Sequence, residues 1–179
     1  MDLTIKIGGE AGQGIQTLGS FLALVCREAG LFLIAVNDFE SRIRGGHSFF
    51  QVRISDKPVH APHHRVNLLI ALDKKSYEIH WEEMLPESLV LLNQAEKQAN
   101  ERIAPIAFDE LAEKAGGKIT SNTVAAGAAL GVLGAPMELT KKILFDYFRD
   151  PTGSQNATLF KMQYILRFAW THPAGCNRS

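Results

Sequence analysis

Two short segments of the 179-residue chain carry residues whose types and spacing suit the binding of an anionic group. The first is the glycine-rich turn Gly9-x-x-Gly12-Gln13-Gly14, which lies between a short apolar segment and a long amphipathic one. Glycines let backbone N–H groups approach an anion closely, and the positive end of a following helix dipole favours negative charge. A pyrophosphate, phosphate or carboxylate would suit this turn. The alternative is a tight strand-to-helix turn that needs positive φ.

The spacing of this turn differs from the common nucleotide-binding fingerprints. In Gly12-Gln13-Gly14-Ile15-Gln16-Thr17, a threonine stands where the dinucleotide fingerprint has its third small residue. No Gly-Lys-Ser or Gly-Lys-Thr follows, so the turn is not a P-loop.

The second segment contains Ser41, Arg42, Arg44, Gly45 and Gly46. Two arginines one residue apart can splay around a phosphate or carboxylate, and the glycine pair lets the chain turn tightly behind them. The same arginines could pair with acidic groups of a partner subunit, or lie in a solvated charged loop. Because ligands of open α/β sheets gather at the carboxyl ends of strands, the position of the segment after the second predicted strand favours binding.

Other chemistry finds little support in the sequence. His60, His63 and His64 lack a recognised metal-ligand spacing, which favours an exposed loop over a zinc site. No Ser, His or Asp lies in a known nucleophile context. Cys26 and Cys176 cannot supply the four thiolates of an iron–sulfur cluster. We therefore predict no catalytic residue and no metal site on this chain.

Composition excludes several classes of protein. The chain is 46% hydrophobic and 21% charged, which is typical of a globular domain. Its 19 basic and 19 acidic residues cancel, so it lacks the basic charge of a nucleic-acid-binding domain. It shows no signal peptide and no apolar stretch long enough to cross a membrane, which predicts a cytoplasmic protein that binds neither nucleic acid nor membrane.

The elements that must position the two segments follow from hydrophobic periodicity. A strand is predicted at Leu3–Ile7, a helix at Ile15–Ala29 ending at Gly30, and a strand at Leu31–Val36. We expect the second strand to be buried on both faces and to pair in parallel with the first, followed by a loop. Further strands are predicted at Ser48–Ile54, Val66–Leu72 and Leu89–Leu92, and helices at Lys74–Met84, where Pro86 stops the helix, and at Phe108–Ala115, Ser121–Leu133, Glu138–Phe148 and Thr158–Trp170.

This order of elements predicts the fold class and the domain organisation. We expect an α/β fold: a three-layer, Rossmann-like domain with a mostly parallel sheet and extra C-terminal helices. One domain should cover residues 1–170, and residues 171–179 should form a tail.

Three segments, Ile7–Ile15, Glu40–His47 and Ser121–Ala128, together resemble the gamma subunit, or gamma domain, of 2-oxoacid:ferredoxin oxidoreductases of the pyruvate and 2-oxoglutarate type. The resemblance extends from about Leu3 to Tyr164. Its third segment matches an alanine-rich helix in which the family has an asparagine, here Asn122.

The resemblance implies a reaction in which a 2-oxo acid, coenzyme A and oxidised ferredoxin give acyl-CoA, carbon dioxide and reduced ferredoxin. It implies that this chain is a non-catalytic gamma subunit holding no cofactor by itself. Thiamine diphosphate and iron–sulfur clusters would lie on alpha and beta partners, and a ferredoxin-like delta subunit is a further candidate partner. Candidate contacts with the substrate coenzyme A are Gly9, Gly12, Gln13, Gly14, Ser41, Arg42, Arg44, Gly45, Gly46 and Asn122.

Two further expectations concern assembly and function. A domain that normally sits in a complex leaves apolar surface uncovered when isolated, so we expect the lone chain to form a homo-oligomer. The alternative function is that of an independent Rossmann-type, nucleotide-binding oxidoreductase. Such an enzyme would retain a nicotinamide or flavin nucleotide on the isolated chain.

Overall fold

The computed structural model describes residues 1–39, 46–96, 99–115 and 121–147. Strands predominate up to residue 105, with α1 and α2 between them, and three helices follow. Their bounds are β1 Asp2–Glu10, α1 Ile15–Glu28, β2 Phe32–Phe39, β3 His47–Ser55, β4 Val66–Ala71, α2 Lys74–His80, a 3₁₀ turn Trp81–Glu83, β5 Met84–Leu92, β6 Ile103–Pro105, α3 Phe108–Ala115, α4 Ser121–Leu133 and α5 Met137–Tyr147.

The strands form one six-stranded sheet in the order β2-β3-β1-β4-β5-β6. β1, β4, β5 and β6 pair in parallel, and β3 pairs antiparallel with both β1 and β2. The sheet is therefore mostly parallel, and the predicted α/β fold class is confirmed.

The predicted parallel pairing of the first two strands is wrong. The chain crosses over through α1 to β2 and then returns as β3, which takes the place between them. In this register His47 lies opposite Glu10 of β1, and Ser48 lies opposite Phe39 of β2. β1 and β2 still run in the same direction, so their carboxyl ends meet at one edge of the sheet.

The strand β2 is not buried on both faces as its apolar sequence predicted. It lies at the edge of the sheet, and Phe32 and Val36 are 48% and 41% exposed. The prediction failed because a continuous apolar run is also compatible with an edge strand that has one neighbour. Residues 37–39, predicted as loop, extend β2 by pairing with β3.

The helix α2 is shorter than predicted. Its cap is as expected, since the Asp73 carboxylate accepts from the Ser76 N–H at 2.7 Å. The helix ends at His80, and Pro86 lies within β5 instead of ending the helix. A proline fits there because the pairing of β4 with β5 shifts register between Val66 and Leu68, next to that part of β5.

Helices cover both faces of the sheet, which gives the three predicted layers. On one face the core is formed by side chains of β1, β3 and β4 against α1, α3, α4 and α5, and on the other face Tyr77 and Trp81 pack on β4 and β5. α3 and α4 have the predicted bounds, and α4 is buried from Thr123 to Gly131 because small side chains permit close packing. The predicted helix at 158–170 lies outside the described residues. No helix within the described ranges is long and apolar enough to cross a bilayer.

Candidate functional site

The glycine-rich turn joins the carboxyl end of β1 to the first turn of α1. Gly12 and Gly14 both adopt positive φ, 95° and 75°, which side-chain-bearing residues rarely adopt. The side chain of Gln13 folds back, and its Oε1 accepts from the Glu10 N–H at 2.8 Å. Gly14 is the N-cap of α1 and has no side chain to cap it. The turn therefore leaves the start of α1 open to an external acceptor.

Two glycines, Gly14 in the turn and Gly9 at the end of β1, closely approach polar side chains, and Gly14 also has positive φ. A Cβ on Gly14 would lie 2.2 Å from Nδ2 of Asn122, and one on Gly9 would lie 2.4 Å from Oε1 of Gln13. Asn122 holds the turn from the other side, since its Nδ2 donates to the Gln13 carbonyl at 2.8 Å. The turn is thus fixed against the first residues of α4.

A cavity of about 410 Å³ opens between the turn and α4. The N-termini of α1 and α4 meet at this cavity, and the positive ends of two helix dipoles favour a negatively charged group there. The described lining residues include no lysine or arginine, and the carboxylate of Asp109 accepts from the Ser121 hydroxyl at 2.7 Å. The residues that line the cavity are Gly12, Gln13, Gly14, Leu72, Asn93, Asp109, Ser121 and Asn122.

The described end of the second predicted segment, Gly46, is hydrogen-bonded to the glycine-rich turn. Gly46 is buried, and its carbonyl accepts from the Ala11 N–H at 3.0 Å. Phe39, the last described residue before the segment, ends β2 at the same edge of the sheet. Ser41, Arg42, Arg44 and Gly45 lie outside the described residues.

The structure brings four of the predicted residues together and adds four that the sequence analysis missed. Gly12, Gln13, Gly14 and Asn122 line the cavity, whereas Gly9 lies in β1 behind the turn. The missed residues are Leu72, Asn93, Asp109 and Ser121. Asn93 could have been found by a simple rule, because it directly follows β5 at the carboxyl ends of the strands.

The histidine-rich loop does not converge on a metal site. His60, His63 and His64 are exposed, and Asp56 pairs with the N-terminal amine. Within the described residues, no group of three His, Cys, Asp or Glu side chains could hold a metal ion. His47 of β3 contacts His80 of α2 instead.

Comparison with known protein families gives a match over most of the chain. The model of the family described as pyruvate ferredoxin/flavodoxin oxidoreductase matches residues 4–164.

Solved structures share the fold. A 2-oxoglutarate:ferredoxin oxidoreductase from Magnetococcus marinus, with 2-oxoglutarate, coenzyme A and succinyl-CoA bound, is similar with a TM-score of 0.86 and 22% identity; the similarity covers 99% of this chain and 32% of that one. The pyruvate oxidoreductase subunit PORC from Thermotoga maritima has a TM-score of 0.77 and 22% identity, covering 95% of this chain and 96% of that one.

Among curated proteins, the chain is similar to the alpha subunit of a 2-oxoacid:ferredoxin oxidoreductase from Sulfolobus sp. The two are 28% identical over 114 residues, which is 64% of this chain. The aligned segment spans 18% of the length of that relative, so this chain matches only a small part of it.

Proposed function

Because the chain belongs to the pyruvate ferredoxin/flavodoxin oxidoreductase family, we propose that it is the gamma subunit of a multi-subunit 2-oxoacid:ferredoxin oxidoreductase. The complex converts a 2-oxo acid and coenzyme A to acyl-CoA and carbon dioxide and reduces ferredoxin, in the cytoplasm. The observation that carries the gamma assignment is the nearly end-to-end correspondence with a separate subunit of known structure.

In this proposal the chain has no complete active site. Its two cysteines do not fit an iron–sulfur cluster, which takes four thiolates. In the proposed complex the clusters and thiamine diphosphate are held by the alpha and beta partners, or by a ferredoxin-like delta subunit. The alternative function, an independent Rossmann-type nucleotide-binding oxidoreductase, is not supported by the family match.

The cavity beside the glycine-rich turn is the proposed contact with coenzyme A. Coenzyme A carries a pyrophosphate and a 3′-phosphate, and two helix N-termini at one cavity suit such groups. The described lining has no cation, so the guanidinium groups of Arg42 and Arg44 are the proposed source of positive charge. The bond between Gly46 and Ala11 supports this arrangement, because it holds one end of the arginine segment against the turn.

The subunit assignment is tested by isolating the chain from its native cell with whatever it binds. We expect alpha and beta subunits to co-purify and the assembly to reduce ferredoxin only when both a 2-oxo acid and coenzyme A are present. Nucleotide analysis of the isolated chain checks the alternative. Stoichiometric retention of a nicotinamide or flavin nucleotide, with turnover and no partner subunits, would favour an independent oxidoreductase.

The coenzyme A contact is tested in the reconstituted complex with Arg42→Ala and Arg44→Ala. Losing one hydrogen bond from arginine to a charged ligand group costs about 1.5–3 kcal/mol, which corresponds to a rise of roughly 10- to 150-fold in the KM for coenzyme A. Arg27→Ala is the matched control, because Arg27 is exposed at the far end of α1. We expect it to leave the KM unchanged.

The same variants separate ligand binding from subunit contact. A raised KM with intact assembly, measured by sedimentation, supports the coenzyme A role. Loss of assembly, or an unchanged KM, would assign Arg42 and Arg44 to salt bridges with a partner subunit.

A further inference from the structure

A chain of polar side chains lies between α2 and the sheet, directly behind the glycine-rich turn. Nδ1 of His80 lies 2.9 Å from Glu83, and Nε2 of His80 lies 2.7 Å from Nε2 of His47. Nδ1 of His47 lies 3.4 Å from the Ser76 hydroxyl, which donates to Asp73 at 2.8 Å. His80 and Ser76 are 2% and 0% exposed. Two carboxylates are thus linked through two imidazoles and one hydroxyl, and His47, Asp73 and Glu83 are half-buried.

The carboxylate of Glu83 determines which nitrogens of the two neutral imidazoles carry protons. Burial raises the pKa of Glu83, but hydrogen bonds from Lys6 and His80 outweigh it and hold this pKa below its ordinary value. Glu83 is therefore an acceptor, and Nδ1 of His80 must donate to it. In a neutral His80, Nε2 is then the acceptor, so Nε2 of His47 carries the proton shared between the rings.

At the other end of this row of polar side chains, Nδ1 of His47 can take one further proton without loss of a hydrogen bond. The single hydroxyl hydrogen of Ser76 points to Asp73, so its oxygen presents a lone pair to Nδ1 of His47. A proton on that nitrogen makes His47 an imidazolium that donates from both nitrogens. A second added proton, on Nε2 of His80, would place two N–H donors face to face at 2.7 Å and break the contact.

The charges around the imidazoles favour one added proton. Lys6 approaches from β1 and is 4% exposed, with its ammonium on Glu83 and 4.3 Å from the centre of the Phe49 ring. The ring of Phe49 also contacts His80 edge-on. Among the described residues, the charged groups beside the imidazoles are Lys6 and Glu10 of β1, Asp38 of the nearby strand β2, Asp73 at the start of α2, and Glu83 after it. This set has one cation and four carboxylates, so its net charge is negative and favours an added proton on the imidazoles.

The histidine pair is packed against the strand that leads into the turn. A Cβ on Gly8 would lie 3.0 Å from Cβ of Ser76, 3.2 Å from Cδ2 of His80 and 3.4 Å from Cε1 of His47. Gly46, the residue before His47, accepts from the turn residue Ala11. A change in the contact between the two rings therefore alters the packing of β1, of the start of β3 and of the turn.

We propose that His47 and His80 form a one-proton switch that holds the start of β3 and the glycine-rich turn against α2, and that releases them when both imidazoles are protonated. Consistent with this geometry, burial lowers the pKa of His80 below its ordinary value, against the opposing bond to Glu83. The folded chain then binds fewer protons than the unfolded chain below about pH 6.5, the ordinary pKa of an imidazole. The stabilisation contributed by the histidine pair is therefore present above that pH and is lost as the pH falls through it.

The proposal is tested on the full chain by urea unfolding between pH 8 and pH 5. With one proton excluded from the folded state, the folding constant falls about tenfold per pH unit on the acid side. We expect His80→Gln to remove this dependence, because a protonated His47 then no longer faces a second imidazolium N–H. His64→Gln, at an exposed histidine, is the matched control and should keep it. An equal acid dependence in the wild type and in His80→Gln would overturn the proposal.

A second measurement holds even if His80→Gln fails to fold. Imidazole ¹⁵N resonances of the wild-type chain should show a single proton added to the pair in the folded state, with both Nε2 signals remaining hydrogen-bonded. The chemical shifts of the Gly12 and Gly14 amides should change only in the pH range in which the pair takes up a second proton. Independent titration of the two rings in the folded chain, with no response from those amides, would contradict the switch.

Discussion

The side-chain amide of Asn122 donates to the backbone carbonyl of Gln13 at 2.8 Å, across 109 residues of sequence. The bond ties the first turn of α4 to the turn that opens α1. The same Nδ2 occupies the space that a Cβ on Gly14 would need. One asparagine thus fixes the separation of two helix N-termini, and with it the width of the cavity between them.

Substitution of Asn122 should therefore interact with substitution of Gly14. We expect Asn122→Ala to lower the free energy of unfolding by about 1 kcal/mol, the net value of a typical hydrogen bond. Gly14→Ala should cost about 2–4 kcal/mol, because it adds a steric conflict to the strain of positive φ. In the Asn122→Ala background this cost should fall to about 1–2 kcal/mol, since only the strain remains. Urea unfolding of the four proteins measures the coupling.

Gly30 supplies the matched control for this cycle. It has a φ of 86°, and a Cβ there would meet nothing within 4 Å. Gly30→Ala should cost about 1–2 kcal/mol from strain alone. This cost should be the same with and without Asn122→Ala. Additive effects of the Gly14 and Asn122 substitutions would show that the contact between them carries no energy.

The packing of α1 on β3 depends on a glycine in the middle of the helix. A Cβ on Gly19 would lie 2.3 Å from the buried ring of Phe50. Gly19→Ala should therefore destabilise the chain by about 1–2 kcal/mol, because overpacking outweighs the gain of about 1 kcal/mol in helix propensity. With Phe50→Leu the same change should become neutral or stabilising. Thermal or urea unfolding checks the change of sign.

The control for this prediction is the next residue on the same helix. Ser20 is exposed, so Ser20→Ala should stabilise the chain slightly in both backgrounds. If Gly19→Ala were also stabilising in the wild-type chain, the ring of Phe50 would have to shift without cost.

Much of the helical framework could be predicted from local signals. The start of α2 follows from the capping residue Asp73, and the end of α1 follows from Gly30, whose N–H donates to the Arg27 carbonyl at 2.9 Å. The bounds of α3 and α4 follow from periodicity and from the content of small residues. These features depend on neighbours in sequence, which is why a sequence shows them.

The strand order could not be predicted in this way. No local sequence feature of β3 indicates that it pairs with β1 and β2, because strand pairing depends on contacts between distant segments. For the same reason an apolar run such as β2 is compatible with a central or an edge position. Sequence identified the glycine-rich turn through its residue types. Asn122 was found through a family resemblance, and the contact of His47 with His80 has no sequence signature at a separation of 33 residues.

Cys26 should be chemically inert in the folded chain. It is 4% exposed, and burial raises the pKa of its thiol to about 11. Because the thiolate is the reactive form, alkylation at pH 8 should be roughly 200-fold slower than that of a free cysteine, with a pKa of about 8.5. The measurement uses Cys176→Ser, which leaves Cys26 as the only thiol. Addition of urea should restore rapid reaction, and rapid reaction without urea would contradict the burial of Cys26.

The exposed edge strand β2 should cause the isolated chain to self-associate. Its outer edge has no described neighbour, and Phe32 and Val36 add apolar surface on the same face. Unpaired edges of this kind favour pairing with a second strand, and a lysine on the edge opposes it. We expect the chain to sediment as a homodimer or a larger assembly at micromolar concentration, and Val36→Lys to shift it to monomer. Ile79→Lys is the matched control, because Ile79 is 44% exposed on α2 and away from the edge. A monomeric wild-type chain, or equal dissociation by both lysine substitutions, would show that β2 does not mediate the association.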